Sequence, residues 1–183
     1  MDQHLEQKIR FLRAANTEGM EHSERGLLEH LIGRRRLLLD WGARPELCDA
    51  GLFHSVYGTE HYQPTALPTS KRKEVEALIG AEAEMLVWIF CFMRRETFDE
   101  NLKRMNGFVV AHRMTGEWVM LSRDQFSDLV NLTFANTLEA FPRLSWNLRR
   151  ACRAYLKPFL PVAMEPAQRA FQRASAPTWK FWK

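Results

Sequence analysis

Cysteine is scarce in this 183-residue chain: Cys48, Cys91 and Cys152 are odd in number, far apart, set among apolar neighbours and without CxxC spacing. That pattern argues against a disulfide framework and for reduced thiols in the cytoplasm. Long hydrophobic runs are also missing. No stretch approaches the ~20 apolar residues a bilayer-spanning helix needs, and the segment from Met1 to Gln7 lacks the apolar core of a signal peptide. Excess charge is small, at +4 with a pI near 9.1, and the basic residues fall into separate clusters such as Arg34-Arg35-Arg36 and Lys71-Arg72-Lys73. A nucleic-acid platform concentrates its charge on one face, so no nucleic-acid partner is expected. No internal repeat or low-complexity tract is visible. With 46% hydrophobic and 26% charged residues, the composition is that of one soluble globular domain spanning 1–183.

What is present is helical periodicity. Leu5, Ile9, Phe11 and Leu12 predict a short amphipathic helix over 3–15. Ser23 reads as the N-cap of a helix running to Trp41, with Leu27, His30, Arg34, Leu37, Leu38 and Trp41 on one face. Arg34, one turn from His30, either meets an anion by a bidentate contact or snorkels to solvent as part of its arginine run. Pro45 opens the next helix, which buries Leu47, Ala50, Gly51 and His54 before Tyr57-Gly58 ends it. A polar loop over 59–70 carries Glu60 and His61. From Lys71 to Met93 a single long helix is predicted, apolar on nearly every side beyond Ala77 and therefore central. Glu82 and Glu84 are conspicuous in it, since buried carboxylates need a cation or donors.

Residues 108–121 predict a β-hairpin with its turn at Thr115-Gly116. Ser122-Arg123-Asp124-Gln125 has the capping-box spacing that starts a helix through Ala140, with Asn136 on its inward stripe. A further helix over 146–156 is broken by Pro158 and Pro161, and a short one is expected near 167–173. The terminal Trp179 and Trp182 would form an exposed apolar patch, so this tail is expected to pack on the body or on a second subunit.

His54 lies 24 residues after His30, on the next helix, within Ala50-Gly51-Leu52-Phe53-His54. This resembles the HD-domain superfamily, and most nearly the hydrolase domain of RelA/SpoT-type alarmone enzymes. There the same interval separates the first two histidines, and the second stands in an Ala-Ala-Leu-Leu-His-Asp run. The apolar segment Val75 to Val87 and the run Leu132-Thr133-Phe134-Ala135-Asn136 also resemble segments of that family. The resemblance covers roughly 23–142 and implies an all-α, HD-domain-like helical bundle into which the hairpin is an insertion, with 143–183 as a helical tail. It further implies metal ligands at His30, His54 and Asn136. Both carboxylate ligands of the family are replaced, however: Ser55 follows His54 where the family has Asp, and Asn136 stands where it has the late Asp.

Two chemistries stay open on these residues. A divalent transition metal such as Fe, Mn or Zn wants more than two imidazoles, because an amide or hydroxyl oxygen is a poor substitute for a carboxylate. A third strong donor would come from Glu84, Glu82, His61 or His22, with Glu82 or Glu84 alternatively serving as general base. Otherwise His30, His54, Ser55 and Asn136 form a metal-free polar pocket for a small molecule, anionic if Arg34 faces inward. The second reading is favoured, because Ser and Asn keep such a network while discarding the charge that holds a cation.

Overall fold

The computed structural model describes residues 3–15, 21–22, 25–104 and 106–175, with the side chains of 21, 22 and 25 excepted. Among them lie nine α-helices and two small antiparallel ladders, so the protein is mostly helical with one real hairpin. No described helix is long and apolar enough to cross a membrane.

Helix α1 (Gln3–Ala14) packs Leu12 into the core. A two-residue ladder, β1 (Glu21–His22) with β2 (Arg25–Gly26), leads directly into α2 (Leu27–Asp40). The expected cap Ser23 and the candidate donor His22 side chain fall outside the described residues, as does the tail with Trp179 and Trp182. Gly26, in extended backbone, occupies the N-cap position of α2.

Helix α3 (Pro45–Phe53) begins with proline at its first position, as expected, and is buried along Leu47 to Phe53. It can come so close to α2 because Gly51 has no side chain: a Cβ there would lie 2.4 Å from Leu38 Cδ1 and 3.8 Å from Arg34 Cγ. The α2–α3 pair packs on α5 (Ala81–Phe92) and on α7 (Arg123–Ala140). These four helices make the core that carries His30, His54 and Asn136.

The single helix expected from Lys71 to Met93 is two. A 3₁₀ turn (Thr69–Lys71) and α4 (Arg72–Ile79) end at Gly80, whose φ of 86° and ψ of 155° no helix can contain. Gly80 N–H closes α4 on Glu76 O at 2.8 Å, and Glu84 N–H starts the next helix on Gly80 O at 3.0 Å. The chain turns there, so Glu82 enters the first turn of α5 and points outward instead of lying on a continuous buried rod.

After α6 (Arg95–Asp99) and a 3₁₀ turn (Glu100–Lys103), β3 (Phe108–Ala111) pairs with β4 (Trp118–Leu121). The hairpin sits where the alternation predicts it, with Ala111 opposite Trp118 and Gly116 at a φ of 76° in the turn. The buried Asn101 side chain grips its outer edge, accepting from Val109 N–H at 2.9 Å and donating to Val109 O at 2.8 Å. The Ser122/Gln125 capping box is formed as the spacing predicts. Helices α8 (Trp146–Leu156) and α9 (Glu165–Ser175) then fold back over the bundle.

Candidate functional site

Helix α2 presents His30 at 1% exposure and Arg34, one turn on, at 0%. His54 is the C-cap of α3, and its Nδ1 lies 3.0 Å from Gly51 O. The two rings stand 5.4 Å apart, centroid to centroid, at 75°, and Phe90 of α5 closes the far side of His54 at 5.6 Å. Asn136 of α7 faces the same space. The three residues on which the sequence reading depends thus line one cavity of about 1090 Å³, together with Ser55 and His61.

The hydrogen bonds of His30 define its chemistry. Its Nδ1 is 2.6 Å from Glu139 Oε2 and its Nε2 is 2.7 Å from Arg34 Nη2. An ionised carboxylate only accepts and a guanidinium only donates. Nδ1 must therefore carry the proton, Nε2 must accept, and the ring is neutral. Glu139 also takes a bond from Arg143 Nη2 at 2.8 Å. Burial works to raise the Glu139 pKa, but the hydrogen bond from His30 and the Arg143 guanidinium outweigh it and hold the carboxyl below the ordinary glutamate value. Gly33 makes room for this carboxylate against α2: a Cβ there would lie 2.9 Å from Glu139 Oε1.

A carboxylate behind an imidazole whose other nitrogen faces a cation is the arrangement that supports a metal-bound histidine. Here the Arg34 guanidinium occupies the cation's place. The lone pair a metal would need on His30 is engaged, and no group of three or more His, Cys, Asp or Glu side chains among the described residues could hold an ion. The residues therefore do not fit the divalent metal implied by the resemblance.

The two glutamates expected near the site are elsewhere. Glu84 is buried at 1% side-chain exposure, where Arg72 holds both its oxygens at 2.8–2.9 Å and the Tyr57 hydroxyl donates to Oε1 at 3.4 Å. Burial raises its pKa against the pull of Arg72. It is a structural clasp between α4 and α5. Glu82 is 63% exposed and reaches Arg44, which also binds Asp128. Neither lines the cavity, and neither is a ligand or base for it. Of the two alternatives for Arg34 the structure shows the inward one, since its side chain is fully buried, but it lies behind His30 and does not line the cavity itself.

Several donors at and beneath the cavity are left without acceptors, and of its lining residues Arg95, Asp99 and Tyr155 carry no sequence signal of their own. Ser55 Oγ is buried and unpartnered, as are Nε of Arg95, a lining residue, and Nε and Nη1 of Arg34 beneath. Burial lowers the pKa of both arginines, which is the electrostatic cost of keeping two guanidinium groups out of water. Arg95 is held by Phe90, whose carbonyl accepts from Nη2 at 3.2 Å and whose ring lies 4.1 Å below the guanidinium. Glu60, from the polar loop, accepts the Arg95 backbone N–H at 2.8 Å and so ties that loop to the cavity wall. Tyr155 O–H donates to Asp99 Oδ1 at 3.0 Å, and burial raises both pKa values. Cys152, set among apolar neighbours in the sequence, is only partly buried and lines the cavity.

A family model described as a domain of unknown function, DUF6817, matches residues 11–95. No curated protein and no solved structure matches the chain. The matched 85 of 183 residues carry His30, His54, Ser55 and Arg95, the inner half of the cavity, and stop before the segments that form its outer walls.

Proposed function

We propose that this chain is a divergent HD-type protein whose cavity binds a small anionic molecule, without the phosphohydrolase chemistry of that superfamily. One observation carries the reading: donors of Ser55, Arg95 and Arg34 are buried at or beneath the cavity without acceptors. A buried donor left unpaired costs about 1–3 kcal/mol, and more if charged. An anion seated on Ser55 and Arg95 would satisfy two of them and gain from the Arg34 charge behind His30. The amide of Asn136 has no side-chain hydrogen bond to a described residue and adds a donor to the same wall. Thr133 and Thr137 give their hydroxyl protons to α7 carbonyls, which leaves their lone pairs for a ligand hydroxyl or bridging water.

The divergent-HD lineage is supported by the His30–His54 interval and by the convergence of both rings with Asn136. The loss of metal is supported by Arg34 standing where the cation would. The test is calorimetric titration of tag-free protein with inorganic phosphate, alkyl phosphates and short carboxylates, beside elemental analysis of the same preparation. Saturable binding, weakened at least tenfold in Arg95→Met and Asn136→Leu variants that melt normally, is the expected result. Stoichiometric metal that disappears in both His30→Ala and His54→Ala would overturn the reading in favour of a metalloenzyme.

A further inference from the structure

The inner and outer parts of the cavity carry opposite charge. Inside are Arg95 and, behind His30, Arg34. Beyond Arg95, α6 and the 3₁₀ turn after it bring Glu96, Asp99, Glu100 and Lys103 to the cavity; Asp99 is taken up by Arg95 and the Tyr155 hydroxyl, which leaves two carboxylates to one ammonium. No described residue pairs with the Glu96 or Glu100 carboxylate, whereas elsewhere on this surface acidic groups such as Glu74 and Glu165 are matched by a neighbouring cation. A simple anion entering past Glu96 and Glu100 meets repulsion before it reaches Arg95. The space between is walled by Phe90, Leu144 and Ala151, which suit a short hydrocarbon chain. At about 1090 Å³ the cavity stands at the upper edge of the roughly 300–1,000 Å³ common for ligand sites, and a lone phosphate or formate would leave most of it unfilled.

We propose that the ligand is bipolar: a phosphate or carboxylate seated on Ser55 and Arg95, a short apolar spacer, and a protonated amine held by Glu96 and Glu100. This rests on the anionic-pocket reading and names the class of molecule it takes. These two carboxylates then select, attracting the amine-bearing member of a ligand pair and disfavouring the plain anion.

The test titrates the full chain with two matched pairs, propyl phosphate against 3-aminopropyl phosphate and butyrate against 4-aminobutyrate. The aminated member should bind about five- to thirtyfold tighter in at least one pair, as expected for two partly exposed charge contacts acting together. The pair that binds identifies the anion as phosphate or carboxylate. In a Glu96→Gln/Glu100→Gln variant, whose substitutions sit on exposed side chains and should leave the circular dichroism and melting unchanged, the ratio should fall towards one. Equal or weaker binding of the aminated members, or a ratio unchanged in the double variant, overturns the bipolar ligand while leaving the anionic pocket standing. Failure of all four probes to bind overturns both.

Discussion

Glu139 keeps its charge in a nearly buried place because two donors converge on it, and the consequence is a stability that depends on pH. Its folded pKa is held below the ordinary glutamate value. The stabilisation is therefore fully present above the unfolded pKa of about 4.3 and is lost as the pH falls through the lower folded pKa, because the unfolded chain takes up the proton first. Urea denaturation of the wild type and Glu139→Gln at pH 7 and pH 3 should show the two converging at the lower pH, and a constant difference would mean that Glu139 is not held this way. Gly33 depends on the same carboxylate. A methyl group there meets Glu139 Oε1 at 2.9 Å, so Gly33→Ala should cost about 1–3 kcal/mol by overpacking, although alanine is the better helix former. A gain in melting temperature would show that the carboxylate moves aside without penalty. The histidine pair and Asn136 were legible because a helical period and the 24-residue spacing of the two histidines point to them. Glu139 was not, since nothing in Leu138-Glu139-Ala140 distinguishes a carboxylate aimed at α2 from one facing water. Arg34 was legible in direction only: its face follows from its spacing, while its engagement with His30 required the ring nitrogens to be located.

At the scale of elements, the caps and turns were the legible part. Pro45, the Ser122/Gln125 box and the Thr115-Gly116 turn act through bonds within three or four residues, and all stand where their chemistry puts them. Gly80 was missed because apolar residues run on either side of it from Val75 to Phe92, and composition alone cannot separate one buried helix from two joined at an angle. The error mattered chemically, since it brought Glu82 and Glu84 to the site as ligands or bases. The joint is open to a direct test. A Cβ at Gly80 meets nothing within 4 Å, so Gly80→Ala should cost about 1–3 kcal/mol through backbone strain alone at a positive φ that only glycine adopts readily. Chemical denaturation reads this, and an unchanged or higher stability would mean that the two segments run on as one helix.

At the scale of the molecule, the inner cavity and its walls come from different parts of the chain. The 11–95 match takes in α2, α3 and α5 with both histidines, whereas Glu96 and Glu100, Asn136 of α7 and the cover from α8 lie beyond it. The cavity lining is thus shared between the matched segment, with Ser55 and Arg95, and the elements after it, with Glu96, Glu100 and Asn136. The inner cavity, in turn, should separate binding from stability. Arg34 is a fully buried cation whose one hydrogen-bonded partner is a neutral ring, while Glu139 keeps Arg143. Replacing it by a flexible apolar side chain of similar length removes a desolvation cost but leaves the buried His30 Nε2 without its donor, a loss of about 1–3 kcal/mol that works against the gain. The same exchange removes a positive charge from beneath the anion. At a separation on the order of 8 Å and an effective dielectric of about 20, that charge is worth about 2 kcal/mol, or more than tenfold in affinity. Arg34→Met should therefore melt close to the wild-type temperature while binding its anion at least tenfold more weakly, as read by thermal unfolding and titration of one preparation. A variant that melts earlier and binds as well as the wild type would make Arg34 a prop for His30 and would remove it from the account of binding.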